Sequence, residues 1–228
     1  MAPEGVELQR IGDDYCWALL FLLLRSGLID EAIKYIKSNN AALKNMDRTL
    51  IACIEAVSKS PDRRLPRSAQ DRINAEYQQR TRIAPENSLD PYRIACYKII
   101  GRCELSKRVI DTISQSTEDW VWLQFSLARE VNRVEEAAGE VFGLREVRET
   151  IQEIGQRFFS KSSDVSSGGY GTYFCLLILG GMFEQAVAFL YPHNYLAAVH
   201  FAIVLNFYGL LRVSDFSSVE TDLSECII

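Results

Sequence analysis

The chain has 228 residues, 48% hydrophobic and 24% charged, a composition that supports a substantial folded core and excludes a disordered tail. Its net charge of -5 argues against a nucleic-acid binder, which gains affinity by displacing phosphate counterions with excess Lys and Arg. The start, MAPEGVELQR, lacks the basic and apolar regions of a secretory signal, and Ala2 rules out myristoylation.

Residues 15 to 24 form the longest apolar run. It is about half the length of a membrane span, which needs about 20 residues, so a core helix is expected. Asp13 and Asp14 are read as opening this helix, which runs to Arg25 and is apolar on nearly every face. Ser26 and Gly27 stop it, Gly27 suiting a left-handed helix end. The next helix, over 29 to 38, buries Ile29, Ala32, Ile33 and Ile36 and places Asp30 four residues before Lys34 for pairing. A third helix is expected over 41 to 58, with Asn40 as cap and Leu43, Met46, Leu50, Ile54 and Val57 on one stripe.

The composition then shifts. Residues 59 to 82 carry seven basic and three acidic residues, a net of +4 against -9 for the remainder. Ser68 and Asp71 have capping-box spacing for a polar helix reaching about residue 83. Asp90-Pro91 is a helix start, since Asp accepts free amides and Pro loses no hydrogen bond at the first helical position. That helix presents Ile94, Tyr97 and Ile100 inward. Ser116, Thr117, Glu118 and Asp119 open another, WVWLQFSLARE.

Gly139 and Gly143 weaken any continuous helix over 131 to 143. Leu144, Val147, Ile151, Ile154 and Phe158 then recur at helical spacing, ending before Ser160. Residues 161 to 169 read as a flexible internal linker. Three apolar helices follow, over 170 to 179, 183 to 191 and 194 to 208, and the last is expected to be buried around most of its circumference. Residues 213 to 228 read as a frayed tail.

One feature repeats. LFLLLRSGLIDEAIKYI, residues 20 to 36, is echoed by FCLLILGGMFEQAVAFL, residues 174 to 190. Gly27 falls on Gly181, Ala32 on Ala186, Ile33 on Val187, Tyr35 on Phe189 and Ile36 on Leu190, with a weaker third break at Gly209. No fixed repeat length emerges. The expected architecture is all-α, an irregular α-solenoid or folded-back stack of antiparallel helical hairpins, with residues 1 to 228 forming a single helical segment of a larger solenoid.

Signs of catalysis are weak. His193 lies in a YPHN turn and His200 in a helix; an exposed turn histidine and a hydrogen-bonded core histidine are expected, and no third ligand stands at metal spacing. Cys16, Cys53, Cys96, Cys103, Cys175 and Cys226 are scattered, mostly in apolar runs, and read as reduced thiols packed as small hydrophobes. SSGGYGTYF has neither a preceding strand nor a following Lys-Ser or Lys-Thr, so it is no phosphate loop. The pairs Asp13-Asp14, Glu118-Asp119 and Glu135-Glu136 are adjacent, so their carboxylates do not face each other on a helix, and the first two stand at expected helix starts. No catalytic, cofactor or metal residue is assigned. The basic stretch reads first as solvated surface, second as docking for an acidic partner segment, last as a nucleic-acid footprint. Trp120 and Trp122 point different ways on a helix, and core packing of at least one is preferred to a partner anchor.

Three blocks carry more specific information: DPYRIACYKIIGRCELSKRVID (90 to 111), EDWVWLQFSLARE (118 to 130), and FEQAVAFL with AAVHFAIVLNFYGLL (183 to 190 and 197 to 211). Together with DRRLPRSAQDRINAEYQQR and WALLFLLLRSGLIDEAIKYI they resemble the nucleoporin-interacting-component family, inner-ring scaffold nucleoporins of the nuclear pore. The resemblance runs from about residue 15 to 211. It implies a folded-back solenoid like those of vesicle coats, at the nuclear envelope, with a structural role and no catalysis. It also implies partners: linker nucleoporins, large inner-ring solenoid nucleoporins and coiled-coil channel nucleoporins, with no direct nucleic acid, membrane insertion or small-molecule substrate. The chain is read as a central piece or truncated product of such a protein. The other reading is a helical-hairpin adaptor or coat-like scaffold unrelated to the pore.

Overall fold

The computed structural model describes residues 8–83, 90–110, 113, 116–130, 141–159 and 169–212. Contacts gather the chain into two units, Met1–Gly143 and Leu144–Ile228. Ten α-helices and one two-residue-strand hairpin occur among the described residues. No helix there is long and apolar enough to cross a membrane.

In the first unit the chain enters through strands β1 (Arg10–Ile11) and β2 (Asp14–Tyr15), antiparallel with Arg10 opposite Tyr15. Gly12 takes a φ of +61° at the turn. Asp13 and Asp14 therefore do not open a helix; α1 starts at Cys16 and ends at Arg25. It buries Cys16, Trp17, Leu20 and Phe21, while Leu22 is exposed, so it has one inner face and not the all-round burial its leucines suggest.

Helix α2 (Ile29–Ser38) seals Ala32 and Ile36 inside and leaves Ile29 and Ile33 half-buried. Lys34 pairs with Glu31 at 2.7 Å rather than with Asp30, one turn geometry winning over the other. Helix α3 (Asn40–Lys59) begins a residue earlier than expected, and Asn40 is no cap: Asn39 precedes it and donates its side-chain amide to the Tyr35 carbonyl. The expected continuous stripe is interrupted at Asp47, whose backbone leaves the helix (φ -158°, ψ 88°). Helix α4 (Arg67–Ile83) follows Pro66, so Ser68 lies inside it and does not cap it.

Helix α5 (Pro91–Gly101) opens as its sequence dictates, with the Asp90 carboxylate accepting from the Tyr92 amide at 3.0 Å. It packs against α1, α3, α4 and α6. Four neighbours explain why burial takes in Arg93, Cys96, Tyr97 and Lys98 as well as Ile100, while Ile94 is only half-buried. Helix α6 (Thr117–Leu127) has the expected cap: Ser116 Oγ accepts from the Asp119 amide at 3.1 Å, and Arg25 pairs with Asp119 at 2.6 Å.

In the second unit α7 (Leu144–Ile154) buries Val147 and Ile151 and gives way to a π-helical turn, Gly155–Phe159, earlier than the expected end. A Cβ on Gly155 would stand 2.1 Å from the Tyr173 hydroxyl, so the wider turn occurs where only a glycine lets α8 (Gly169–Leu179) approach. Then α8 packs on α9 (Phe183–Leu190), and α9 on α10 (Tyr195–Phe207), which Asn194 caps by accepting from the Ala197 amide. Of the 161 to 169 linker only Gly169 is described, opening α8; the rest, the 213 to 228 tail and Glu135-Glu136 lie outside the described residues.

Helix α10 contradicts its expected burial. Only Ala198 and Leu205 are buried, and Leu196, Val199, Ile203 and Phe207 are 55, 42, 61 and 81% exposed. An apolar periphery measures how much a helix can bury, not how many neighbours it has.

The sequence echo is a repeated backbone device. After α1 the Leu28 amide bonds the Leu23 carbonyl (2.9 Å); after α8 Met182 bonds Leu177 (2.9 Å); after α10 Leu210 bonds Leu205 (2.9 Å). Gly27, Gly181 and Gly209 sit at φ +74°, +67° and +67°. These are three Schellman stops, each closed by a left-handed glycine. Nothing lies within 4 Å of a Cβ built on Gly27, whereas one on Gly181 meets only the Arg148 guanidinium end at 3.0 Å, so strain rather than crowding fixes glycine there.

Gly27→Val and Gly181→Val are each expected to cost about 1–2 kcal/mol from the left-handed penalty. Gly155→Ala should cost about 1–3 kcal/mol through the clash with Tyr173. Thermal melting checks all three, and wild-type stability in the two valine variants would refute the shared stop.

Candidate functional site

The most concentrated polar chemistry in the described residues is buried, not open. At the break in α3 the Asp47 carboxylate turns inward with its side chain wholly excluded from solvent. Its Oδ1 accepts from the Leu50 amide at 2.9 Å, which caps the second half of α3. Its Oδ2 accepts from Arg93 Nε (2.9 Å), Arg93 Nη2 (2.6 Å) and the Tyr97 hydroxyl (2.7 Å), and Arg80 Nη2 stands 3.5 Å away. Arg93 also donates to the Met46 carbonyl at 2.8 Å, the last carbonyl before the break, and lies over the Trp17 ring. Trp17 Nε1 donates to Gln9 Oε1 at 2.6 Å, and the Gln9 amide donates to Asp90 at 3.0 Å. One network thus links the entering chain with α1, α3, α4 and α5.

Burial pushes two phenols, one carboxyl and two thiols in this unit toward their neutral forms. Burial, with the Asp47 carboxylate as hydrogen-bond partner, raises the Tyr97 phenol well above its ordinary value, and burial with Glu104 does the same for Tyr77. Burial alone accounts for most of the rise in Asp90, despite the amides it accepts. The thiols follow: Cys96 is raised by burial, and Cys103 is pushed up to about 12 by the same cause. Such thiols are protonated at neutral pH and lack nucleophilic character. A substrate has no approach to Asp47, and its acceptor oxygens are already engaged. This arrangement positions helices; it is not built for turnover.

The residues weighed from sequence scatter. His193 is half-buried between Tyr170 (ring centroids 5.6 Å apart) and Phe189 (4.9 Å), whereas His200 is exposed on α10, the reverse of the expected roles, because α10 turns that face outward. No cluster of metal-ligating side chains occurs among the described residues. Cys16, Cys53, Cys96 and Cys103 are buried and free, Cys175 is exposed, and Cys226 lies outside the described residues. Asp13 and Asp14 belong to the entering hairpin, and Glu118 and Asp119 to the first turn of α6. Trp120 and Trp122 are both half-buried; Trp122 meets Phe21 edge-on at 6.0 Å and carries the Arg25 guanidinium on its face. Much of the basic stretch pairs locally, Arg67 with Asp71 at 3.2 Å and Arg80 with Glu76 at 2.5 Å. Asp47 went unnoticed in the sequence, although an Asp followed by Arg-Thr in the middle of an apolar stripe is itself a cap signal.

Comparisons with known proteins agree on one family. The family model described as Nup93/Nic96 matches residues 1–227. Nucleoporin NIC96 of Chaetomium thermophilum is 50% identical over 224 residues, 98% of this chain and 20% of the relative. Nucleoporin NIC96 of Saccharomyces cerevisiae is 32% identical over 87% of this chain and 22% of the relative, and nuclear pore complex protein Nup93 of Danio rerio 28% over 90% and 24%. The chain thus spans between 20% and 24% of the length of these curated relatives. The crystal structure of Chaetomium thermophilum Nic96 SOL matches with a TM-score of 0.88 at 52% identity, over 94% of this chain and 30% of that one.

Removing Asp47 leaves Arg93 charged and buried. Asp47→Ala is expected to destabilise by about 3–5 kcal/mol, and Asp47→Ala with Arg93→Met by less than the sum of the single changes. Additivity in denaturant melts would refute the pairing. The raised phenols give a pH signature. Their folded pKa values exceed the unfolded value of about 10, so their contribution is complete below about pH 10 and is lost as pH rises beyond it. Melting temperature should fall above about pH 10, and ultraviolet difference absorbance should show Tyr77 and Tyr97 ionising only with unfolding.

Proposed function

Because the chain belongs to the Nup93/Nic96 family, we propose that it serves as a structural scaffold component of the nuclear pore complex inner ring, supporting pore assembly and nucleocytoplasmic transport by binding other nucleoporins. The chain spans a fraction of its relatives' length, so this role is a reading of the segment in the setting of the whole. Its partners are linker nucleoporins, large inner-ring solenoid nucleoporins and coiled-coil channel nucleoporins, and its place is the nuclear envelope. No catalytic step belongs to it. The sealed Asp47 network supports that, since its polar groups are consumed in holding helices together.

The observation that carries the reading is the outward face of α10. Leu196, Val199, Ile203 and Phe207 recur at spacings of three, four and four on one side of the helix, all exposed. A helix that presents an apolar stripe to solvent is built to receive another helix, which is how stacked hairpins extend. A scaffold works through such surfaces, with many weak contacts adding through multivalency.

Affinity capture of the tagged chain from nuclear envelopes, read by mass spectrometry, is expected to recover inner-ring nucleoporins. An Ile203→Asp, Phe207→Ser variant should recover them several-fold less well. Recovery of coat or metabolic proteins without inner-ring nucleoporins would overturn the proposal.

A further inference from the structure

The stretch KSPDRR, residues 59 to 64, closes α3 and leads toward α4. Ser60-Pro61 is the one place in the sequence where a serine or threonine precedes proline, and Arg63 follows that serine by three positions. Proline confines the residue before it to extended backbone, and Ser60 takes φ -85° and ψ 125°. A protein kinase threads its substrate through an open cleft in that conformation. The loop offers itself for this, since Pro61, Asp62 and Arg63 are exposed and Ser60 is half-buried. Two bonds hold the turn, from the Arg63 amide to the Ser60 carbonyl and from the Arg64 amide to Ser60 Oγ, each at 3.2 Å. Arg63 sits at φ +55°, so extending the loop relieves a left-handed residue and offsets the bonds given up.

We propose that Ser60 is a phosphorylation site for a proline-directed protein kinase that reads the basic residue three positions beyond, and that the phosphate draws Arg64 away from the segment after α6. The inference goes beyond the scaffold reading and does not need it. The γ-phosphoryl group of ATP passes to Ser60 Oγ: an O–P bond forms, the bond to ADP breaks, and the hydroxyl proton goes to the kinase's catalytic base. The product then changes the loop. At present the Ser60 hydroxyl donates to Asp62 Oδ1 and holds that carboxyl below its usual range. A phosphoester oxygen has no hydrogen to give, and the phosphate brings about two negative charges beside the carboxylate. The group also stands at the carbonyl end of α3, where the helix dipole disfavours an anion. Arg64 answers both. It lies 3.5 Å from Asp62 and donates from Nη2 to the Glu130 carbonyl at 2.7 Å, three residues past the end of α6. A phosphate outcompetes a neutral carbonyl for a guanidinium, because charge-assisted hydrogen bonds are about twice as strong.

The test incubates the full chain with ATP and a purified cyclin-dependent kinase and maps the product by tandem mass spectrometry. One phosphate at Ser60 is expected, with the rate falling about tenfold in Pro61→Ala and severalfold in Arg63→Ala, both of which should melt as the unaltered chain does. The Arg129 amide donates to the Phe142 carbonyl at 3.1 Å, so hydrogen exchange over residues 126 to 130 reads the release and should quicken about fivefold on phosphorylation. Arg64→Ala should quicken it to the same degree without kinase. An unmodified Ser60, or a rate indifferent to both variants, overturns the site. Unchanged exchange over 126 to 130 overturns the release of Arg64. Neither readout involves a pore partner, so failure of the scaffold reading registers separately, in the capture from nuclear envelopes.

Discussion

The first unit depends on one buried ion pair. Asp47 and Arg93 meet where α3 breaks, and each solves a problem the other creates. The break frees the Met46 carbonyl and the Leu50 amide; Arg93 takes the first and Asp47 the second. In return Asp47 neutralises a guanidinium that would otherwise sit uncompensated in a low-dielectric interior. Such a pair adds little net stability compared with well-packed apolar residues, yet it specifies geometry, because only one register of α3 against α5 satisfies every donor. That register lets α5 lie among α1, α3, α4 and α6, with Tyr97 and Arg80 drawn to the same oxygen.

The second unit relies on close approach and on donors to exposed carbonyls. Tyr173 rests on the bare backbone of Gly155, and Arg148 Nε donates to the Gly180 carbonyl at 2.7 Å, securing the turn between α8 and α9 from outside it. Aromatic edges complete the packing, Tyr173 on Phe189 and Phe174 on Phe201. Charge fixes register in one unit and shape does so in the other.

Local signals in the sequence proved readable where the physics is local. Asp90-Pro91, Ser116 to Asp119 and Asn194 specify helix starts through bonds closed within three residues, and Gly27 and Gly181 specify ends the same way. Errors arose where a partner distant in sequence decides. Asp47 leaves its helix for Arg93, 46 residues on; the π turn at Gly155 answers to Tyr173; and the burial of α10 is set by how many helices stand around it. The same division holds for function. The family is legible in long motifs such as the block from 90 to 111, while the network around Asp47 is assembled from α3, α4 and α5 and has no linear signature.

The three glycine stops have a consequence for how such a chain can change over time. Each is closed by main-chain hydrogen bonds around one residue without a side chain, so the stop itself asks little of the side chains on the hairpins' outer faces. Surfaces of the hairpins can therefore drift, be recharged or acquire new contacts while the angle at which one helix hands over to the next stays put. A protein built this way can repaint its faces around fixed corners.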